Sequence, residues 1–179
     1  SLGRFLSEYK LSGNYRVLLI ELLHISTAIN YLHQQKLLHT DIRTDNILVF
    51  QKGNEISMKL TDFGDCCTFH DYKLDNEFVL EKTRKEVLEI VPQSQSDDYY
   101  WNRAITRMDW IMFTLVLSKV IEITQIHLPI IQALIRILRG TDYWIQHNVY
   151  QTVEQHFEEE INSCDIGIPF RKQKHEKIQ

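Results

Sequence analysis

Apolar residues in the stretch "NYRVLLIELLHISTAINYLHQQ" (14–35) recur at Leu18, Leu22, Ile25, Ile29 and Leu32. Spacings of three and four put them on one face of an α-helix, and Asn14, after Ser12 and Gly13, is suited to cap its start. The period then changes. "LL" at 37–38, "ILVF" at 47–50 and "ISMKL" at 56–60 are short β-like runs, and "QKGN" at 51–54 predicts a tight turn that makes the last two a small hairpin. Residues 65–107 are polar, contain Pro92, and predict a long irregular connection, a length that is uncommon unless functional or disordered. "RMDWIMFTLVLSKVIEI" is apolar on nearly every side and predicts a helix buried at the centre of the domain. "LPIIQALIRILRG" carries Pro129 near its first turn and Gly140 just past its end, the asymmetry of a helix. "NVYQTVEQHFEEEIN" spaces Val149, Val153, Phe157 and Ile161 four apart, one more amphipathic helix. No internal repeat interrupts this order. The pattern predicts an α+β domain, mostly helical, with one small hairpin carrying the polar clusters.

Composition narrows what such a domain does. A chain of 179 residues suits one compact domain with a substantial core. A formal charge of -4 and a pI near 6.0 lack the clustered Lys and Arg of a nucleic-acid footprint. Three cysteines, with Cys66 and Cys67 adjacent and Cys164 distant, read as free thiols in a reduced, cytoplasmic setting. The eight histidines make no zinc-like spacing with them. "SLGRFLSEYK" has charges where a signal peptide needs its apolar core, and "WIMFTLVL" is far short of a membrane span. The tail "RKQKHEKIQ" is charged and expected to fray. Nothing in the sequence fixes an oligomeric state.

The chemistry concentrates in "LLHTDIRTDNILVF" (37–50) and "KLTDFGD" (59–65). A turn accounts for one Asp and one Asn, since both bond to nearby backbone, but not for Arg43 between them or for the second acidic cluster. Asn46 and Asp62 offer oxygen ligands to a hard cation such as Mg²⁺, which holds few protein ligands. Asp41, at the end of a short strand, can accept a proton from an attacking hydroxyl, and Arg43 can neutralise charge on a transferring phosphoryl group. The hairpin returns Asn46 and Asp62 to one end. Together they describe phosphoryl transfer.

These motifs resemble the protein kinase family. "HTDIRTDNILV" (39–49) is similar to its catalytic loop, with Asp41 at the base position and Asn46 at the metal-binding amide, and "DFG" (62–64) is similar to its magnesium-binding motif. Leu48 falls where the family's adenine-floor residue lies. "MDW" (108–110) resembles the start of the central helix, whose Asp109 then bonds the catalytic-loop backbone. "SLGRFL" resembles the helix after the hinge, and 15–34 the helix before the catalytic loop. The resemblance implies ATP and Mg²⁺ as cofactors and a protein substrate. It implies that residues 1–165 are a C-terminal lobe without its N-terminal lobe, that 166–179 are a disordered tail, and that the chain is inactive alone.

Departures qualify the resemblance. Thr40 replaces the arginine that pairs with a phosphorylated activation segment in many kinases. Gln93, in "IVPQSQ", stands for a glutamate, and "DYWIQHNVY" lacks the arginine it would pair with. Little more than a loop separates the central helix from "LPIIQALIRIL", so the substrate-docking helix is reduced. His39 is expected to pack and bond near Phe63 rather than act as an acid or base, and Asp45 to be a surface acid. Arg43 in the place of the Ser/Thr-kinase lysine, and "RTDN" rather than "AARN", favour a serine or threonine hydroxyl over a true tyrosine kinase. Two alternatives share the motifs: a non-catalytic lobe that binds another kinase or a scaffold, and a small-molecule kinase of the aminoglycoside or choline type.

Overall fold

A computed structural model describes residues 1–8, 15–53, 55–69, 71, 98–140 and 148–164. The expected cap at Asn14, the Gln93 position, most of "DYWIQHNVY" and the 166–179 tail lie outside them. In chain order the elements are α1 (Leu2–Glu8), α2 (Tyr15–Gln34), β1 (Leu37–Leu38), a 3-10 turn (Thr44–Asn46), β2 (Ile47–Lys52), β3 (Glu55–Leu60), β4 (Cys67–Thr68), α3 (Asp98–Thr124), α4 (Pro129–Arg139) and α5 (Val149–Ser163).

The predicted stripe becomes the inner face of α2, with Leu18, Leu22, Ile25 and Ile29 buried. Lys36, at φ 60, turns the chain out of that helix into β1. The hairpin pairs β2 and β3 antiparallel from Ile47↔Leu60 to Lys52↔Glu55. Gly53 sits at φ 62, the left-handed conformation that a two-residue hairpin loop requires and that glycine adopts without steric cost. Alternation along β2 turns Ile47 into the core and leaves Leu48 and Phe50 outside at 39% and 49% exposure. Helix α2 packs beneath β3, and its buried Glu21 accepts the Met58 N–H at 2.7 Å, satisfying a donor that the ladder leaves unpaired.

The structure corrects two expectations. The connection expected across 65–107 is not irregular throughout: Cys67 and Thr68 pair with Leu38 and Leu37 as a second small sheet, and α3 starts at Asp98. "MDW" therefore lies in the middle of the central helix, not at its start. The miss has a physical cause. Trp101, Ala104 and Ile105 lead into Met108 at helical spacing, but they are only one turn of stripe set among polar residues, too short a signal to outweigh the polar stretch before it. A two-residue strand is likewise too short to show alternation.

The last three helices follow their patterns. Phe113, Val116, Leu117 and Val120 of α3 are buried, while Leu115 is 55% exposed. Four residues join α3 to α4, the short connection that the sequence implies. Leu128 stands at the N-cap of α4 and makes no side-chain cap. The buried carboxylate of Glu160 on α5 does so instead, accepting the N–H groups of Ile130 at 2.8 Å and Ile131 at 3.0 Å. An acid against a helix N-terminus meets both the orphan donors and the positive end of the dipole. Phe113 stacks on Phe157, 6.3 Å between centroids, joining α3 and α5 in one core with α2 and α4.

Candidate active site

The site is built on a buried anchor. Asp109, fully enclosed in α3, accepts the His39 N–H through Oδ2 and the Thr40 N–H through Oδ1, each at 2.9 Å. His33, at the end of α2, lies 2.9 Å from the same Oδ2. A carboxylate only accepts, so His33 carries its proton on Nε2 and donates it. This fixes the backbone between β1 and Asp41. It also holds Thr40 at φ 67, a left-handed conformation costly for a β-branched residue and sustained only where its surroundings over-determine it.

His39 is buried, its ring 5.1 Å from that of Phe63. Its Nε2 lies 3.0 Å from Thr61 O, and its Nδ1 accepts the Asp41 N–H at 3.4 Å. The neutral tautomer protonated at Nε2 makes both bonds, so the imidazole is a structural tie, as its sequence position suggests.

Asn46 joins the two polar clusters. Its Nδ2 donates to Asp41 O at 2.9 Å and to Asp41 Oδ2 at 2.7 Å. Its backbone carbonyl accepts the Thr61 N–H at 2.9 Å and the Thr61 hydroxyl at 3.1 Å. Asp62 follows directly, exposed and at φ 63. Asn46 is thus bonded to Asp41 and, through Thr61, to the residue next to Asp62. With the Asn46 amide nitrogen spent on Asp41, its Oδ1 is the end left for a ligand. One amide oxygen and one exposed carboxylate fit a hard divalent cation that keeps most of its waters.

The other two predicted residues sit at the margin. Arg43 is exposed, and its Nη2 donates to Asp45 Oδ2 at 2.6 Å. That bond, then the Asp45 charge and the Asp41 charge, raise the guanidinium pKa further, so Arg43 stays cationic. Asp45 is the expected surface acid, with the added task of holding Arg43. Leu48 faces outward from β2. Sequence reasoning missed His33, Glu21 and Glu160 as anchors. All three had a signal, a polar residue at helical spacing on an apolar stripe: His33 four positions after Ile29, Glu21 three after Leu18, and Glu160 three after Phe157.

Cys66, Cys67 and Cys164 are free thiols, and the first two are poor nucleophiles. Burial, then the Asp109 charge, raises the Cys66 pKa, and Cys66 Sγ donates to Leu38 O at 2.8 Å. Burial, then Cys66, pushes Cys67 up to about 11. Only the thiolate reacts, so alkylation of Cys67 by iodoacetamide in the folded chain is expected to rise with a midpoint near 11. A midpoint near 9, the ordinary thiol value, contradicts this. Because folding raises the pKa, the protonated thiol favours the fold below pH 9, and that advantage is lost as pH rises through 11.

Comparison with known proteins gives the family. The model of the protein kinase domain matches residues 18–165. A serine/threonine-protein kinase of Drosophila melanogaster is 40% identical over 50 residues, 27% of this chain and 7% of that protein. The probable serine/threonine-protein kinase gdt4 of Dictyostelium discoideum is 32% identical over 82 residues, 44% of this chain and 5% of that protein. The serine/threonine-protein kinase STE20 of Candida glabrata is 46% identical over 47 residues, 26% of this chain and 5% of that protein. The matched stretches thus span a small part of each relative's length. No helix among the described residues is long and apolar enough to cross a membrane. By the match over 18–165, the chain belongs to the protein kinase domain family.

Proposed function

We propose that this lobe transfers a phosphoryl group from ATP to a protein serine or threonine hydroxyl. Asp41 accepts the hydroxyl proton, Asn46 and Asp62 hold Mg²⁺, Arg43 faces the charge that develops on the transferring group, and Leu48 lies against one face of adenine. The observation that carries this reading is the pair of hydrogen bonds that Asn46 Nδ2 donates to Asp41 O and Oδ2, with Thr61 bonded to the Asn46 carbonyl. One residue orients both the base and a metal ligand. The metal, when bound, neutralises phosphate charge.

The apolar exposure of Leu48, Phe50 and Phe63 (39%, 49% and 50%) supports reading residues 1–165 as a C-terminal lobe that a second lobe covers, with 166–179 as a tail. Exposed apolar area of this kind marks an interaction face. Half a cleft leaves nucleotide charges in water, where each interaction weakens several-fold, so the chain alone is expected to bind nucleotide weakly.

The test is magnesium dependence. In the chain joined to a kinase N-terminal lobe, ATP affinity by titration calorimetry is expected to rise with Mg²⁺ for wild type and hardly to change for Asp62→Ala. An equal magnesium effect in both proteins overturns the assignment of Asp62. No nucleotide binding by the joined wild type favours the non-catalytic lobe that binds another kinase or scaffold.

A further inference from the structure

Thr40 does more than fill a gap in the catalytic-loop pattern. It is buried, held at φ 67, and its backbone N–H is fixed on Asp109. That conformation aims its hydroxyl across the site, where Oγ1 donates to the carbonyl of Asp65 at 2.8 Å. Asp65 belongs to the turn that follows Asp62, closed by the Cys66 N–H on Phe63 O at 3.1 Å. Gly64 and Asp65 are themselves exposed, so at the middle of the turn the Thr40 bond is a tie that burial does not supply, beside the Phe63 ring on His39 and Cys66 Sγ on Leu38 O at its two ends. The strain at Thr40 and the reach of its hydroxyl coincide, and strained backbone persists where the surroundings require it.

We propose that Thr40 is a positioning residue for Asp62: its hydroxyl ties the 62–66 turn to the catalytic loop by a neutral hydrogen bond. The tie holds that turn without a charged or phosphorylated tether. The metal-binding part of this statement rests on the function proposed above; the tether itself does not.

The experiment is amide hydrogen exchange followed by NMR on the full 179-residue chain, free of metal and nucleotide. Thr40→Val keeps the branched shape and removes the hydroxyl; Thr40→Ser keeps the hydroxyl. Exchange at the Cys66 amide is expected to quicken about fivefold in Thr40→Val, the size of one net hydrogen bond. It should stay within about twofold of wild type in Thr40→Ser, while the Leu22 and Ile25 amides of α2 are unchanged in both. A neutral tie is not screened, so wild-type protection at Cys66 is expected to be equal at low salt and at 1 M salt. Equal exchange in Thr40→Val and wild type overturns the tether, as does a serine variant as loose as the valine one. Protection that falls with salt overturns its neutral character and needs no variant. In the chain joined to an N-terminal lobe, Thr40→Val should reduce the Mg²⁺ effect on ATP affinity and Thr40→Ser should retain it. An undiminished Mg²⁺ effect in Thr40→Val overturns the positioning of Asp62. A wild type with no Mg²⁺ effect overturns the proposed function instead, and the exchange comparison still decides the tether.

Discussion

Asp109→Ala is expected to destabilise the chain by about 3–5 kcal/mol, a large part of the total stability of an ordinary domain. The carboxylate is fully buried and takes three donors: the backbone N–H groups of His39 and Thr40, and His33 Nε2. Alanine leaves all three without a partner, and each unsatisfied buried group costs on the order of 1–3 kcal/mol. Relief of the left-handed strain at Thr40, once its N–H is released, offsets a small part. Asp109→Asn is expected to fall between, because the amide keeps one acceptor oxygen and presents an N–H to a donor on the other side. Urea unfolding checks both: the midpoint should fall in the order wild type, Asn, Ala, with the slope unchanged. A midpoint for Asp109→Ala equal to wild type contradicts the anchor.

How much of this fold was legible depends on the length of each pattern. Helix α2 was readable to within a residue at each end, because its stripe from Leu18 to Leu32 runs for about four turns and the loss of that stripe after Leu32 marks its end. The hairpin was readable because "QKGN" breaks two short β-like runs, although the strands run closer to the turn than the runs suggest, to Lys52 and Glu55. The first turns of α3 and the two-residue strand β4 were not readable. The former carry a single turn of apolar spacing, Trp101, Ala104 and Ile105, among polar residues; β4 forms because β1 lies beside it, a long-range pairing that no local window contains.

The site divides in the same way. Asn46 and Thr61 could be brought together from sequence, because the hairpin register pairs Ile47 with Leu60 and so returns its two ends to one place. The tie of Asn46 to Asp41 could not, since it depends on the 3-10 turn at 44–46 folding the amide back. Arg43 illustrates the limit from the other side. Its charge was legible, but its pairing with Asp45 is a rotamer choice on the surface, where an exposed ion pair is worth little and gives way readily to a stronger anion. Thr40 was legible only as a missing arginine; its hydroxyl contact appears once Asp65 is folded beneath it.

Asp41→Asn tests the central claim most directly. The side chain is half-buried, with Oδ2 held by Asn46 Nδ2 at 2.7 Å, so its orientation is set before any substrate arrives. Asparagine has the same shape and can turn its oxygen to Asn46, keeping that bond while losing the ability to take a proton. The variant therefore reports on chemistry with the loop intact. General-base contributions are typically about 10²–10⁴-fold. The measurement is the rate of phosphoryl transfer to a serine- and threonine-containing peptide by the chain joined to an N-terminal lobe, wild type against Asp41→Asn, at saturating ATP and Mg²⁺. The account predicts a fall in turnover of about 10²–10⁴-fold with nucleotide affinity preserved; turnover unchanged in the variant contradicts it.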